Sequence, residues 1–428
     1  MTRFSEILFW CVGLGSWITI TSIFNELGIM VDDLPEGWAI ASYLSLTIQI
    51  ANIGPFIYSF IPKYIKTKRF IVNTTYGIFI LAFTSMILLA FFWNKTVMNR
   101  SVYLIVFTFG TSLSDCMTSM TYWVMVSWFP SKYISWLIAG ESSSGIIASI
   151  VIWIQQLGTD NPRFSVGIYF FLIALVIPVS VISFYILLRK LNNGDYATGN
   201  ISDLAVQLGN DISKDVNIEA NVESLQNKYD DPNITNSNNI SFKNYRKYFV
   251  ILSFLSGIQN GMIPSLSTYM LLSYNKTVYV TSSTMSNITN PLLSLMVAYL
   301  DNIFVNNMAI YIMTAIFSFT SIYQFIIALS SPNPWGTNSS NPVFTFACFF
   351  NVFIYIIGVG MISSCKAAMI TLIKKNIEID WNKSDKMIKL DDYNKIYMEY
   401  VGIFVQIGSL VGSLLFFCLV NTTNWFNQ

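Results

Sequence analysis

"GLGSWITITSIFNELGIMVDDLPEGWAIASYLSLTIQIANIGP" (residues 13–55) sets two apolar stretches on either side of an acidic connection. That connection packs Asp32, Asp33 and Glu36 around Pro35 and Gly37, and Glu26 lies inside the first apolar stretch. Proline presets one turn dihedral and glycine supplies a positive φ, so the connection reads as a tight turn. A helix of roughly 20 apolar residues crosses a bilayer, and each flank reaches about that length. The stretch therefore reads as two membrane-crossing helices joined by a turn. It leaves a question: why is a carboxylate placed within one of them?

The rest of the chain extends the pattern. Hydrophobic residues make up 54% and charged residues 11%, and mean hydropathy is +0.53. A soluble domain carries about 25% charge, so the fold class is an all-α polytopic membrane protein. About eleven spans can be drawn by length and flanks. They run approximately 6–28, 39–61, 70–92, 102–127, 134–157, 165–188, 247–272, 280–300, 307–330, 343–373 and 399–421. The eighth is the weakest, because it opens on polar residues.

Lys and Arg set the orientation, since they favour the cytoplasmic side. With the N-terminus cytoplasmic, Lys63, Lys66, Lys68, Arg69, Lys132, Arg189, Lys190, Lys243, Arg246, Lys247, Lys374 and Lys375 all fall inside. Only Lys95, Arg100, Arg163 and Lys276 fall outside. An odd number of spans then makes the C-terminus extracellular. Residues 191–244 are rich in Asn, Asp and Ser and read as a disordered cytoplasmic linker. They divide the chain into a six-helix half (1–190) and a five-helix half (245–428), a plan that suits two bundles rocking around a midplane site. Asn94 and Asn338 are sequons in expected outer loops, where glycosylation is physically possible. The first span lacks the charged start, short apolar core and small-residue site of a removed leader.

Several chemistries are disfavoured. The chain has no histidine, which removes His-based catalysis, His metal ligands and a His proton relay. Five cysteines show no metal spacing and read as packing residues. We therefore expect no metal and no cofactor, and a net charge of +1 gives no sign of nucleic acid as a partner. No H-E-x-x-H or G-x-S-x-G motif supports a membrane enzyme. No repeated pore-lining segments or rings of charge support a channel.

Four ionisable residues fall within spans: Glu26, Asp115, Glu141 and Lys366. Each costs about 2.5–3.5 kcal/mol near the bilayer centre on insertion scales, so each is expected to face a cavity or a partner. The bland reading is a buried pair holding two helices in register, and Asp115 or Glu141 is the expected partner of Lys366. Neutral polar residues surround them. Gln49 and Asn52 lie three apart on one helical face, as do Gln406 and Ser409. Asn260, Thr268 and Tyr269 flank Gly261 and Pro264, and Asn290 precedes Pro291. Glycine and serine alone indicate close helix packing. Helix breaks lined by amides suit a neutral solute rich in hydrogen-bonding groups. The candidate substrate-binding set is Trp17, Thr21, Glu26, Gln49, Asn52, Asp115, Glu141, Asn260, Thr268, Tyr269, Asn290, Lys366 and Gln406.

Those same residues carry a resemblance. G-x-GSW at 13–17, an EL at 26–27, LPEGW at 34–38, SY at 42–43 and ANIGP at 51–55 resemble the start of the eukaryotic riboflavin transporters of the solute carrier class. "FTFGTSLSDCMTSMTYWVMVSWFP" (107–130), "AGESSSG" (139–145), "NGMIPSLSTYMLLSY" (260–274), "NPL" (290–292), the Lys of "SSCK" (363–366) and "VQIGSLVGS" (405–413) extend it over nearly all spans. The resemblance implies about eleven helices, a fold similar to equilibrative nucleoside carriers, riboflavin as the transported partner and a plasma-membrane location. Thr21 and Phe24 stand where family members commonly have Asn and Trp, and Gly28 where they often have Pro. A carrier for nucleosides or another neutral heterocycle is the alternative. By this reading Glu26 sits near the outer mouth of a cavity, with Trp38 anchoring the turn at the membrane interface.

Overall fold

The computed structural model describes residues 2–62, 64–126, 128–129, 132–156, 162–193, 242–337, 343–383 and 390–426. Among these residues the regular structure is helical apart from one isolated bridge between Val97 and Arg100, with turns and irregular segments between the helices. The first expected span is two helices, α1 (Thr2–Leu14) and α2 (Ile18–Asp33), bent by 52°. The break falls at Trp17, which adopts a left-handed φ of 62°. A non-glycine residue rarely holds that conformation without surrounding support.

The acidic turn follows and is as tight as expected, with Gly37 at a φ of 54°. Its Glu36 carboxylate accepts from the Ser101 backbone N–H at 2.9 Å and from the Ser101 hydroxyl. A negative charge at that point faces the positive end of α6 (Val102–Val126). The turn is thus fastened to a helix far along the chain. The second span is α3 (Ile40–Ala51) continued by α4 (Ile53–Ser59).

The remaining helices before the linker are α5 (Lys68–Phe92), α7 (Lys132–Gln155), α8 (Val166–Ala174) and α9 (Val176–Asn192), the last two forming one span. After it, α10 (Phe242–Gly257) passes through a π-turn (Ile258–Met262) into α11 (Ile263–Leu271). Then come α12 (Lys276–Tyr299), a short α13 (Asp301–Phe304), α14 (Asn307–Leu329), α15 (Val343–Lys383) and α16 (Leu390–Thr422).

Eight of these helical stretches are long and apolar enough to cross a membrane, or nine with the bent α1–α2 pair. α6 and α12 are also long, at 25 and 24 residues, but carry too many polar groups to qualify by hydropathy. The helix break expected at Pro291 is absent, because α12 runs through it. A neighbouring helix and local backbone adjustment re-satisfy the groups that an intramembrane proline frees.

Packing sorts the helices. α1 lies on α7 and α9, α5 on α6 and α8, and α2 on α6, α7 and α8. Beyond the linker, α10 lies on α16, α12 on α15 and α14 on α15. The two sets meet where α3 touches α11 and α16, and where α12 touches α2 and α7. By contrast α1, α4 and α10, which lie toward the end where α9 stops and α10 starts, pack chiefly within their own set. The sets therefore close on the side of the 34–39 turn and part toward the end where α9 stops and α10 starts; the expected linker lies, over residues 194–241, outside the described residues.

Candidate functional site

The bend at Trp17 frees the first backbone N–H groups of α2, which have no partner within their own helix. Asp115, on α6, supplies one. Its Oδ2 accepts from the Ile20 N–H at 3.3 Å and from the Thr19 hydroxyl at 2.8 Å. Three residues from Thr19 and from Asp115, the Ser16 and Thr118 hydroxyls pair at 3.0 Å. A buried carboxylate at a helix N-terminus is favoured by the helix dipole as well as by these bonds. Asp115 thus caps a broken helix from outside. Its other oxygen, Oδ1, is buried without a hydrogen-bond partner. The Trp17 side chain remains 43% exposed at the bend, with Thr21 one turn further on and partly buried.

Glu26 is fully buried, and neither carboxylate oxygen has a hydrogen-bond partner. It lies inside the packing of α2, beside Gln155. Glu141 is partly buried on α7, with Ser16 beside it.

The π-turn organises a second cluster, and such turns frequently mark functional sites. Lys366 Nζ donates to Gln259 Oε1 at 2.9 Å, and Gln259 Nε2 donates to the Ser363 hydroxyl at 3.3 Å. This corrects the expected pairing of Lys366 with Asp115 or Glu141. The reason is topological: α15 packs within the second helix set, whereas α6 and α7 turn these carboxylates toward α1 and α2. Asn260 donates to the Ser409 hydroxyl at 2.8 Å. The Asn260 carbonyl, freed by the π-turn, accepts from Ser45 and from Ser413, each at 2.9 Å. Helix α3, the π-turn and helix α16 are tied together at this carbonyl.

A third cluster closes the turn side. The Thr268 hydroxyl donates to the Trp38 carbonyl at 2.8 Å, and the Trp38 and Tyr269 rings meet edge-on at 5.7 Å. Trp38 therefore anchors the turn to α11. The Tyr279 hydroxyl donates to the Phe24 carbonyl at 2.6 Å. Asn287 Nδ2 reaches Asn25 Oδ1 at 3.2 Å and the Ser149 hydroxyl at 3.3 Å. Lys276 and Asp32 form an exposed ion pair at 2.6 Å. Gly28 faces the Tyr279 ring, where an added Cβ would stand 3.1 Å from it.

The expected residues thus divide. Gln49 and Asn52 are joined by a 3.2 Å bond on the second span. Gln406 is exposed and Asn290 partly buried, one turn from Asn287. Thr268 and Tyr269 belong to the closed side and do not meet Gln49 or Asn52. Sequence reasoning passed over Asn25, Ser45, Gln259 and Tyr279. Asn25 and Gln259 adjoin residues already singled out, and that adjacency was the available signal. Asn94 is exposed, while Asn338 lies outside the described residues. Among the described residues no cluster of three His, Cys, Asp or Glu could hold a metal.

Comparison with known proteins gives a consistent result. The family described as "Solute carrier family 52, riboflavin transporter" matches residues 1–161 and 158–428. Riboflavin transporter rft-1 of Caenorhabditis elegans is 27% identical over 97% of this chain and 96% of its own length. Member 3-A of Danio rerio is 24% identical over 97% and 95%, and member 3 of Homo sapiens 23% over 98% and 96%. Among solved structures, the POT family transporter PepTSo is similar at a TM-score of 0.56 and 12% identity, over 97% of this chain and 90% of that one. A further likeness, at a TM-score of 0.50 and 13% identity, is to a proton dependent oligopeptide (POT) family transporter, over 96% and 99%. These structural likenesses establish a membrane-transporter fold and nothing of substrate.

Proposed function

The chain belongs to the solute carrier family 52 riboflavin transporters, and from that premise we propose that it takes up riboflavin across the plasma membrane by alternating access. The observation that carries the mechanism is the asymmetry of packing. The two helix sets are joined by hydrogen bonds on the turn side and diverge toward the linker. Such a molecule holds a cavity open at one face, and rocking the sets would close it and open the other.

Riboflavin is a flat ring with amide-like groups and a chain of hydroxyls. Aromatic faces and neutral amides suit it. In this reading Trp17, exposed at the bend, offers a stacking surface, and Thr21, Gln49, Asn52, Asn290 and Gln406 offer hydrogen bonds. Lys366, held by Gln259, is a further donor at the cavity wall. Asn260 is the joint between spans, Thr268 and Tyr269 form the closed side, and Asp115, Glu26 and Glu141 position the first span. The Lys and Arg distribution supports a cytoplasmic N-terminus and linker, an extracellular C-terminus and an outward-facing Asn94 as a glycan acceptor. The comparisons do not favour a nucleoside carrier.

The test is uptake of labelled riboflavin by cells expressing the chain. Saturable uptake, suppressed by excess unlabelled riboflavin and indifferent to nucleosides, is expected. Suppression by nucleosides alone would overturn the substrate. An epitope inserted near Asn210 should be unreachable by antibody on intact cells, and surface labelling there would reverse the orientation.

A further inference from the structure

In the first helix set, α8 and α9 cover the flank formed by α1, α2 and α5. In the second set α10 and α14 hold the corresponding places, since α10 lies on α16 as α1 lies on α7, and α14 lies on α15 as α5 lies on α6. Among the described residues no helix covers that flank. An open groove of about 610 Å³ remains there, walled by Val250 and Phe254 of α10, Ile322 and Phe325 of α14, and Val411 and Leu415 of α16. Its floor is backbone. Gly408 lies so close to α10 that an added Cβ would stand 2.0 Å from the Ser253 carbonyl oxygen.

Dimensions decide what fits. The lining runs from Val250 to Met262 on one wall and from Phe404 to Phe416 on another, which at 1.5 Å per residue is about 18 Å. An apolar groove of that length accommodates an extended hydrocarbon chain. Its linker-side mouth is not apolar. Arg246 and Lys247 are exposed there, four and three residues before Val250 and so on the same helical face, with the Lys247 amine 4.8 Å from the Tyr248 ring centroid. The α10 sequence contains no acidic residue.

We propose that this groove binds an anionic phospholipid, with an acyl chain lying along α10 and α16 and the headgroup phosphate held by Arg246 and Lys247. The cations supply charge-assisted hydrogen bonds and attraction to the anionic surface, and the groove supplies apolar contact. Nothing in this proposal depends on which solute the protein carries.

The experiment uses the full chain purified in detergent and titrated with phosphatidylglycerol or phosphatidylcholine, with bound lipid counted by native mass spectrometry. One tightly retained phosphatidylglycerol is expected, preferred over phosphatidylcholine by about fivefold for each cation. Val411→Trp and Ile322→Trp fill the groove from different helices at exposed positions. Each should reduce retention of both lipids by about tenfold, with elution volume and heat-unfolding midpoint unchanged. Arg246→Gln combined with Lys247→Gln should abolish the headgroup preference while phosphatidylcholine still binds. Undiminished retention in the folded tryptophan variants would overturn the proposal. So would displacement of the phospholipid by a sterol, or a dimer that forms through this face in place of bound lipid.

Discussion

Asp115 accepts a backbone N–H and a hydroxyl at the start of α2, so its removal should act on folding before it acts on transport. Asp115→Leu leaves buried groups unsatisfied at about 1–3 kcal/mol each, and the heat-unfolding midpoint of the purified protein should fall clearly. Asp115→Asn keeps an accepting oxygen and should fall much less. Equal losses in both variants would show that charge, not capping, is what matters. Lys366 leads to the opposite expectation. Its partner is a neutral amide, so Lys366→Met strands no buried carboxylate and should keep normal surface abundance while lowering uptake. A collapse of surface abundance would restore a structural ion pair. The residue types at both positions were legible in the sequence, because a charge in an apolar stretch is expensive wherever it points. Their partners were not, because which helix faces which is a property of the folded bundle and leaves no periodic signal in one chain.

At the scale of elements, the hairpin at 13–55 and the long apolar helices were legible from length and composition. The break in the first span was not. Trp17 is large, and nothing in its type announces a left-handed φ of 62°; the support comes from Asp115 on another helix. Pro291 misled in the other direction, since it sits within a continuous α12. The "VQIGSLVGS" segment behaves as its small residues suggest, with Gly408 and Gly412 seating α16 directly on α10 and the π-turn. Gly408→Ala should therefore push the helices apart, costing about 1–3 kcal/mol and lowering the yield of folded protein on size-exclusion chromatography. Gly402→Ala, six residues earlier on the same helix, meets nothing within 4 Å and should be neutral. Equal behaviour of the two variants would mean that the α10–α16 contact is not tight.

For the whole molecule, opening the turn side requires its bonds to break, including the exposed pair of Lys276 and Asp32. A surface ion pair contributes only about 0–1 kcal/mol, so it is a light fastening. Replacing it with a covalent one should matter more: Asp32→Cys with Lys276→Cys, once oxidised, should stop uptake, and reductant should restore it. Full uptake by the cross-linked protein would show that this side need not open. The cap on α2 also has a consequence for synthesis. Ile20 and Asp115 are separated by 95 residues, so the first span enters the membrane before its capping group has been made. At ribosomal speeds of about 5–20 residues per second, the uncapped bend waits roughly 5–20 seconds. During that interval its exposed amides must be shielded by the insertion machinery or by water at the translocon, and nascent chains arrested before Asp115 should be preferred targets of membrane quality control.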